Sequence, residues 1–286
     1  MIFVHDRGQM CNNILQFAHV WAWCKENGRA AVSMRFAYKY RYFRICHTPH
    51  HNFLTYAVVK FLAKLRLIPT VDFDLEDDVS LQHQDALMRS HNTMWVDGWM
   101  VRFYDLFLKY RDEIVNLFAF DEAVEASVAE IMDVAEGALA DAEDGAVLRL
   151  GLHIRRGDYA RFLDGRYFYD DRTYIDLVRQ FRAMHPQSKI VVYVCGNDPT
   201  LDKDRYCSNI QDVRMVFPEG NPGQDLCLLS HCDWLIGAPS TFSLVAAMYR
   251  DLPLYWIRDA KIRLVPEEFQ HFATLLRQID QTFGRP

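Results

Sequence analysis

Hydrophobic and polar positions alternate along this chain in a pattern that changes period repeatedly. Residues 1–5 form a short apolar run and read as a strand, followed by a polar loop, Asp6-Arg7-Gly8-Gln9. From about Asn12 to Asn27 the apolar residues Ile14, Leu15, Ala18, Trp21 and Ala22 recur at helical spacing, and Asn27-Gly28 supplies the stop. Ala30 to Met34 reads as a second strand. Residues 35–52 are rich in Tyr, Arg and His, contain Pro49 and fit no period, so an irregular insertion is expected there. A helix over Phe53–Leu65, a short strand over Met94–Trp99 and helices near Phe103–Phe118 and Asp121–Leu139 complete the first half.

The small, acidic stretch Ala140 to Gly145 reads as a linker, after which the alternation restarts. Strands are expected at Val147–His153, Lys189–Cys195, Val213–Phe217, Asp233–Ile236 and Leu252–Ile257. Helices are expected at Asp171–Met184, Gln224–His231, from the 237–241 loop to about Arg250, and at Pro266–Phe283. Strands alternating with helices predict parallel sheets of the Rossmann kind. The reading is an α/β chain with two lobes, 1–140 and 141–286, and a cleft between them.

Composition narrows the function. The chain has 286 residues, half of them hydrophobic, which suffices for one large domain or two smaller ones with real cores. Its 32 basic and 38 acidic side chains leave a net charge of -6, contrary to the basic excess of a protein that grips a nucleic-acid backbone. A local basic site for one small anion remains compatible. No apolar run reaches the roughly 18–20 residues of a membrane span, and the opening Met1-Ile2-Phe3-Val4-His5-Asp6 lacks the pattern of a signal peptide. The expected location is the cytoplasm, or peripherally the inner face of the membrane. The seven cysteines, irregularly spaced and with no CxxC pair, read as reduced thiols. Two clusters come nearest to a metal-ligand set, Cys227 with His231 and Cys232, and His47 with His50 and His51. Neither has zinc-like spacing, and no metal is expected.

Ligands of open parallel sheets sit beyond the carboxyl ends of the strands. His153-Ile154-Arg155-Arg156-Gly157-Asp158-Tyr159 lies at such an end. Guanidinium forks match phosphate oxygens and keep their charge, Gly157 permits a tight turn, and Asp158 can hold one arginine in place. The same residues would also suit a surface turn with a local ion pair. Gly237-Ala238-Pro239-Ser240-Thr241-Phe242-Ser243 joins a strand to a helix whose N-terminus Ser240 or Thr241 can cap and whose free N–H groups can receive an anion. The Gly8 to Ala18 segment is a third strand-to-helix junction, without the GxGxxG dinucleotide fingerprint. There Asn12 and Asn13 either cap the helix or point into the cleft. Asn197 and Asp198, after the strand ending at Cys195, are placed to hydrogen-bond a base or ribose.

Together these segments resemble the GDP-fucose-dependent alpha-1,2-fucosyltransferase family, glycosyltransferase family 11. His153 to Tyr159 reads as that family's HxRRGDY motif. Gly8, Asn12, Gln16 and Ala18 match its GxLGNQxxQYA opening, with Phe17 for Tyr. Asp225 to Ser230 and Ser240 to Ser243 resemble its DxxLMS and NSTFSWW segments, and Arg111 to Phe120 its R-x-x-I-x-x-x-F-x-F pattern. Order and spacing hold over about residues 1–257. The departures are Cys11 for the second glycine, Asn13 for glutamine, Leu244-Val245 for the tryptophan pair, and Gly98-Trp99-Met100-Val101, which lacks the glutamine of the GY[WF]Q segment.

The resemblance implies a GT-B-like fold with GDP-fucose held mainly by the C-terminal lobe, and inverting transfer of fucose to an acceptor glycan hydroxyl, alpha-1,2-linked. Arg155 would clamp the diphosphate with Arg156 beside it, and Asp158 would orient that arginine or contact the nucleotide. His153, Ser240, Thr241 and Phe242 would line the nucleotide pocket, and Gly8 and Asn12 would close over the phosphates from the other lobe. No metal cofactor is implied. His5, Asp6 and Asp97 are the candidates for a base. A transferase for another nucleotide sugar, or a non-catalytic nucleotide- or carbohydrate-binding protein on the same scaffold, is the alternative.

Overall fold

The computed structural model describes residues 1–5, 7–139, 147–261 and 263–283. They divide into two compact units, meeting in the chain at Asp121 and Glu122.

The first unit runs β1 (Ile2–His5), α1 (Met10–Glu26), β2 (Ala31–Ser33), α2 (Phe53–Lys64), β3 (Thr70–Asp72), α3 (Leu81–Arg89), β4 (Met94–Asp97), α4 (Tyr104–Lys109) and α5 (Arg111–Leu117). Its strands pair in the order β2-β1-β4-β3, all parallel, with Phe3 opposite both Val32 and Trp95. α1 is apolar on most sides and buries Ile14, Leu15, Phe17, Ala18 and Val20. It stops at Asn27, whose side-chain amide donates back to the Trp23 carbonyl at 2.9 Å.

Three details depart from the sequence reading. The helix expected over 103–118 breaks at Tyr110 into α4 and α5, where Lys109 and the Tyr110 hydroxyl both reach Glu26 at the end of α1. β3 and α3 were not foreseen. β3 has only three residues. α3 buries only Gln84 and Met88 and so shows little apolar periodicity; its start is fixed by Ser80, whose hydroxyl accepts from the His83 amide. Residues 35–52 are irregular, as expected, yet they belong to the core: Phe36 and Phe43 pack edge-to-face against each other and against Phe118.

The second unit runs α6 (Glu122–Gly137), β5 (Val147–Ile154), α7 (Asp171–Met184), β6 (Lys189–Gly196), α8 (Lys203–Asn209), β7 (Arg214–Val216), α9 (Pro222–Ser230), β8 (Trp234–Gly237), α10 (Thr241–Arg250), β9 (Leu254–Trp256), α11 (Phe272–Arg277) and α12 (Ile279–Phe283). Its strands pair in parallel in the order β7-β6-β5-β8-β9. All five expected strands are present. The core of this unit includes Leu150, Leu152, Ile190, Val192 and Ile236 from the sheet and Tyr174, Val178 and Phe181 from α7.

The expected linker at 140–145 lies outside the described residues. The division falls one helix earlier than the 140/141 boundary because α6 is tied to the second unit. Glu136 takes a bidentate pair from Arg149 at 2.7 and 2.8 Å, and Ser127 and Glu125 reach Gln224 and His231. The helix expected over 266–283 is also interrupted. Gln270 exchanges two backbone hydrogen bonds with Leu254 at 3.0 Å each, adding a bridge to the sheet edge. Of the seven free cysteines only Cys207 is exposed. Among the described residues no helix is long and apolar enough to cross a membrane.

Candidate functional site

In the second sheet the strand order reverses between β5 and β8. The chain leaves β5 toward β6 on one side, while β8 lies on the other. That is the switch point at which doubly wound sheets hold their ligands. His153 on β5 stands opposite Gly237 on β8, so the two motifs of the sequence reading emerge side by side from neighbouring strands.

The paired arginines separate into two roles. Arg156 is largely buried, its side chain 11% exposed. It donates to Asp171 at 2.6 Å, to Asp198 at 3.1 Å and to the Tyr169 carbonyl at 2.9 Å. Burial alone would weaken its hold on the proton, but the two carboxylates raise it. Its guanidinium is thus committed to the protein on three sides. Arg155 instead meets the Asp158 carboxylate at 2.8 Å and lies over the Tyr159 ring, 5.5 Å from its centroid. Asp158 is exposed, while the Arg155 side chain is itself only 14% exposed.

Asn197 and Asp198 serve the arginine loop. The side-chain Oδ1 of Asn197 accepts from the Arg156 amide at 2.9 Å. A Cβ on Gly157 would fall 2.5 Å from the Asn197 amide nitrogen, so glycine there lets Asn197 keep this position against the loop. Asp198 is divided between Arg156 and Thr200, whose amide and hydroxyl donate at 2.9 and 2.7 Å. Both residues of this pair are thus oriented by partners within the protein.

Ser240 is the N-cap of α10; its hydroxyl accepts from the Phe242 amide at 3.1 Å. Thr241 opens the helix. The Tyr159 hydroxyl donates to the Pro239 carbonyl, fastening the arginine loop to this turn. His153 is buried and stacks on Phe242 with ring centroids 5.0 Å apart. Burial, and then the Arg155 charge, push it down to about 3, so it is a neutral ring beneath the site. Its Nδ1 has no hydrogen-bond partner among the described residues. Leu244 and Val245, which stand where the family has tryptophans, are fully buried, so that departure concerns packing.

One carboxylate was not singled out from the sequence. Asp225 lies in the first turn of α9, beyond the carboxyl end of β7, with its Oδ1 near Gly220. Its charge is felt by the Cys195 thiol near the end of β6. Burial raises Asp225 to about 6, and no hydrogen bond or cation among the described residues offsets that. A partly buried carboxylate with a raised pKa is a common mark of a functional group. The sequence signal was its place in the DxxLMS-like segment.

The first unit has its own reversal, between β1 and β4. His5 and Asp97 face each other there, Nδ1 to Oδ2 at 3.1 Å. Arg7, absent from the sequence reading as a site residue, donates to Asp97, Asp72 and Asp74 at 2.6, 2.7 and 2.8 Å. Burial would raise Asp97, but the hydrogen bonds from His5 and Arg7 bring it down to about 2, which makes it a weak base. Asp6 lies outside the described residues. Gly8 has φ +82, and a Cβ there would strike the Asn12 side chain. Gln16 closes the loop, accepting from the Arg7 amide at 3.0 Å and donating to the Arg7 and Asn12 carbonyls. The Gly8, Asn12, Gln16 spacing is thus a loop lock at i, i+4 and i+8. Asn13 is fully buried, neither capping the helix nor exposed, and both its amide atoms lack partners among the described residues.

The metal-ligand clusters considered from the sequence do not form as written. His51 is buried and bonded to Ser33 and Thr48, while His47 turns to Asp121. Cys232 turns to the Leu228 carbonyl, and the donor atoms that do converge, all within 4.8 Å, belong to Glu125, Cys227 and His231.

Comparison with known proteins gives a consistent set of likenesses. The model of glycosyl transferase family 11 matches residues 100–251, which is just over half of the chain. Galactoside alpha-(1,2)-fucosyltransferase 1 of Rattus norvegicus is 33% identical over 108 residues, 34% of this chain and 27% of the relative. The Mus musculus protein of the same name is 32% identical over the same length. The chain therefore spans about a quarter of the length of these curated relatives. Among solved structures, POFUT1 in complex with GDP-fucose superposes with a TM-score of 0.59 at 11% identity, covering 88% of this chain and 94% of that one. An arginine-to-lysine mutant of Arabidopsis thaliana FUT1 in complex with GDP gives 0.56 at 13% identity, covering 94% and 73%. These likenesses show the fold, α/β of the GT-B type with two Rossmann-type units.

Proposed function

Because the chain belongs to glycosyl transferase family 11, we propose that it transfers fucose from GDP-fucose, with inversion, to a glycan hydroxyl in alpha-1,2 linkage. The observation that carries the reading is the pairing at the β5/β8 switch point. There a guanidinium already oriented by its own carboxylate, Arg155 on Asp158, emerges beside the capped N-terminus of α10. Both elements suit a diphosphate. The alpha-1,2 linkage and a galactoside-like acceptor are supported by the relatives' names.

Departure of GDP builds negative charge on the β-phosphate while the sugar becomes oxocarbenium-like. Arg155 neutralises that charge without reorganising, because Asp158 and the Tyr159 ring hold it beforehand. Arg156 does not touch the donor in this scheme; with Asp171 and Asp198 it sets the backbone that presents Arg155. The His153–Phe242 stack forms an uncharged floor, and Ser240 and Thr241 present α10 amides to the phosphates. Asp225 selects the base. Guanine offers two adjacent donors, N1–H and the 2-amino group, and a carboxylate accepts both. Transfer needs no metal.

The test is thermal stabilisation by a nucleotide panel together with transfer assays. GDP should raise Tm, UDP and ADP should not, and Arg155→Ala should abolish the response and cost roughly 3–4 kcal/mol of barrier, about 10²–10³ in rate. EDTA should leave transfer unchanged. An equal response to UDP would sink the donor assignment; GDP binding without any transfer or hydrolysis of GDP-fucose would leave a binding protein.

A further inference from the structure

Helix α2 is apolar on two opposite faces. Inward, Val59 is buried, and Tyr56, Leu62 and Ala63 pack with it against Phe3, Val32, Met34, Ile68 and Trp95. Outward, Leu54, Val58, Phe61 and Leu65 follow one another at i, i+4, i+7 and i+11, and all four are exposed, Leu54 by 72% and Phe61 by 60%. Phe53 and Leu67, each 66% exposed, extend the patch at either end. A helix that is hydrophobic all round is normally buried all round. A contiguous exposed stripe of this kind marks an interaction surface.

Charge identifies what covers it. Between Glu26 and Asp72 the chain carries no acidic residue. That stretch holds eight of its 32 basic residues, Arg29, Arg35, Lys39, Arg41, Arg44, Lys60, Lys64 and Arg66, within a chain of net charge -6. Lys60, Lys64 and Arg66 are exposed beside the apolar stripe, and Lys39, Arg41 and Arg44 are exposed in the preceding segment. Exposed leucine and phenylalanine flanked by Lys and Arg is the composition of a helix that lies in a membrane interface, its apolar side among acyl chains and its cations among headgroups. A second copy of the chain suits the patch poorly, since two such faces would bring lysines and arginines together with no acid of the segment to meet them.

We infer that α2 docks this protein onto an anionic lipid bilayer, with Leu54, Phe61 and Leu65 entering the acyl boundary and Lys60, Lys64 and Arg66 meeting the headgroups. The inference is independent of the donor assignment. It places the protein at a surface on which a lipid-anchored acceptor could be presented.

The experiment is co-sedimentation of the whole chain with phosphatidylcholine vesicles containing, or lacking, about a third phosphatidylglycerol. Wild type should bind the anionic vesicles, and more weakly as salt rises. Changing Lys60, Lys64 and Arg66 together to glutamine should weaken binding on the order of 100-fold. Leu54→Glu with Phe61→Glu should abolish it. Circular dichroism and melting curves of each variant establish that it is folded. Equal binding of wild type and both folded variants, or equal binding to neutral and anionic vesicles, would overturn the inference. So would wild type that ignores vesicles and forms a dimer in light scattering that the double glutamate variant breaks; α2 would then be a contact between copies.

Discussion

Replacing Asp225 with asparagine should make the protein more stable and a worse nucleotide binder. The carboxyl ordinarily titrates at 3.8 and is raised here to about 6 by burial. The folded protein therefore holds this proton more tightly than the unfolded chain does. Its contribution is neutral below the unfolded value, where both states are protonated. It becomes unfavourable as pH rises from about 4 to 6, and its full cost stands above that. A pKa rise of this size corresponds to at most about 3 kcal/mol at neutral pH. Asparagine removes the charge but keeps a polar group to bury, so a gain of about 1–2 kcal/mol is expected. For a unit of this size that is roughly 2–8 °C in Tm. The assay is differential scanning calorimetry of wild type and Asp225→Asn across pH, without nucleotide. The two proteins should converge near pH 4, and the variant should melt higher at pH 7. GDP titration should show the opposite preference: wild type binds better above pH 6 than below it. Losing a charged hydrogen-bond acceptor, worth roughly 1.5–3 kcal/mol per bond, weakens the variant by about 10–100-fold. Inosine diphosphate, which lacks the 2-amino group, should discriminate less between the two. A variant that melts lower than wild type at pH 7, or by a pH-independent margin, would show that Asp225 is a structural acceptor, and the argument for it as the guanine reader would fail.

Arg156→Ala should destabilise the second unit by about 3–5 kcal/mol, because it leaves Asp171 and Asp198 with a buried pair broken. Denaturant unfolding measures this, and a change below about 1 kcal/mol would mean that the pair contributes little. Gly8→Ala should cost about 1–2 kcal/mol from the left-handed backbone alone. It should also displace Asn12, so transfer should fall more than stability does; an active variant with an unchanged melting curve would show that the loop relaxes freely.

The sheets were legible because each core strand is a short apolar run bounded by Gly, Pro or polar turns, and that signal survives without tertiary information. β6, with Val191, Val192, Tyr193 and Val194 buried in succession, could hardly be anything else. α3 and β3 were not legible for the converse reason. α3 owes its place to a serine cap and to Gln84, which donates to the Val79 carbonyl and accepts from the Arg102 amide. Nothing in a polar nine-residue segment advertises those contacts. The break at Tyr110 and the interruption at Gln270 are likewise set by partners far along the chain, Glu26 and Leu254.

The site divides along the same line. A motif states which residue types converge, while the side chains packed around them decide which charge is left to act. Arg155 and Arg156 are chemically identical neighbours; only the resemblance to the family ranked them, not their own chemistry or spacing. The difference arises because successive residues beyond a strand end leave in different directions. One guanidinium passes beneath the loop, where α7 brings Asp171 and the turn after β6 brings Asp198. The other, its side chain 14% exposed, meets Asp158, three residues on, at 2.8 Å and lies over the Tyr159 ring. Arg156 in turn has Asn197 and Asp198 as supports, since the Asn197 side chain accepts from its backbone amide and Asp198 from its guanidinium. Those hydrogen bonds orient both residues at the strand ends. Asp225, in the first turn of α9, is a further carboxylate of this unit, raised by burial and offset by no cation among the described residues. The proposed assignment of the phosphate to Arg155 and of the base to Asp225 rests on these two environments, an arginine oriented by Asp158 and a carboxyl raised by burial.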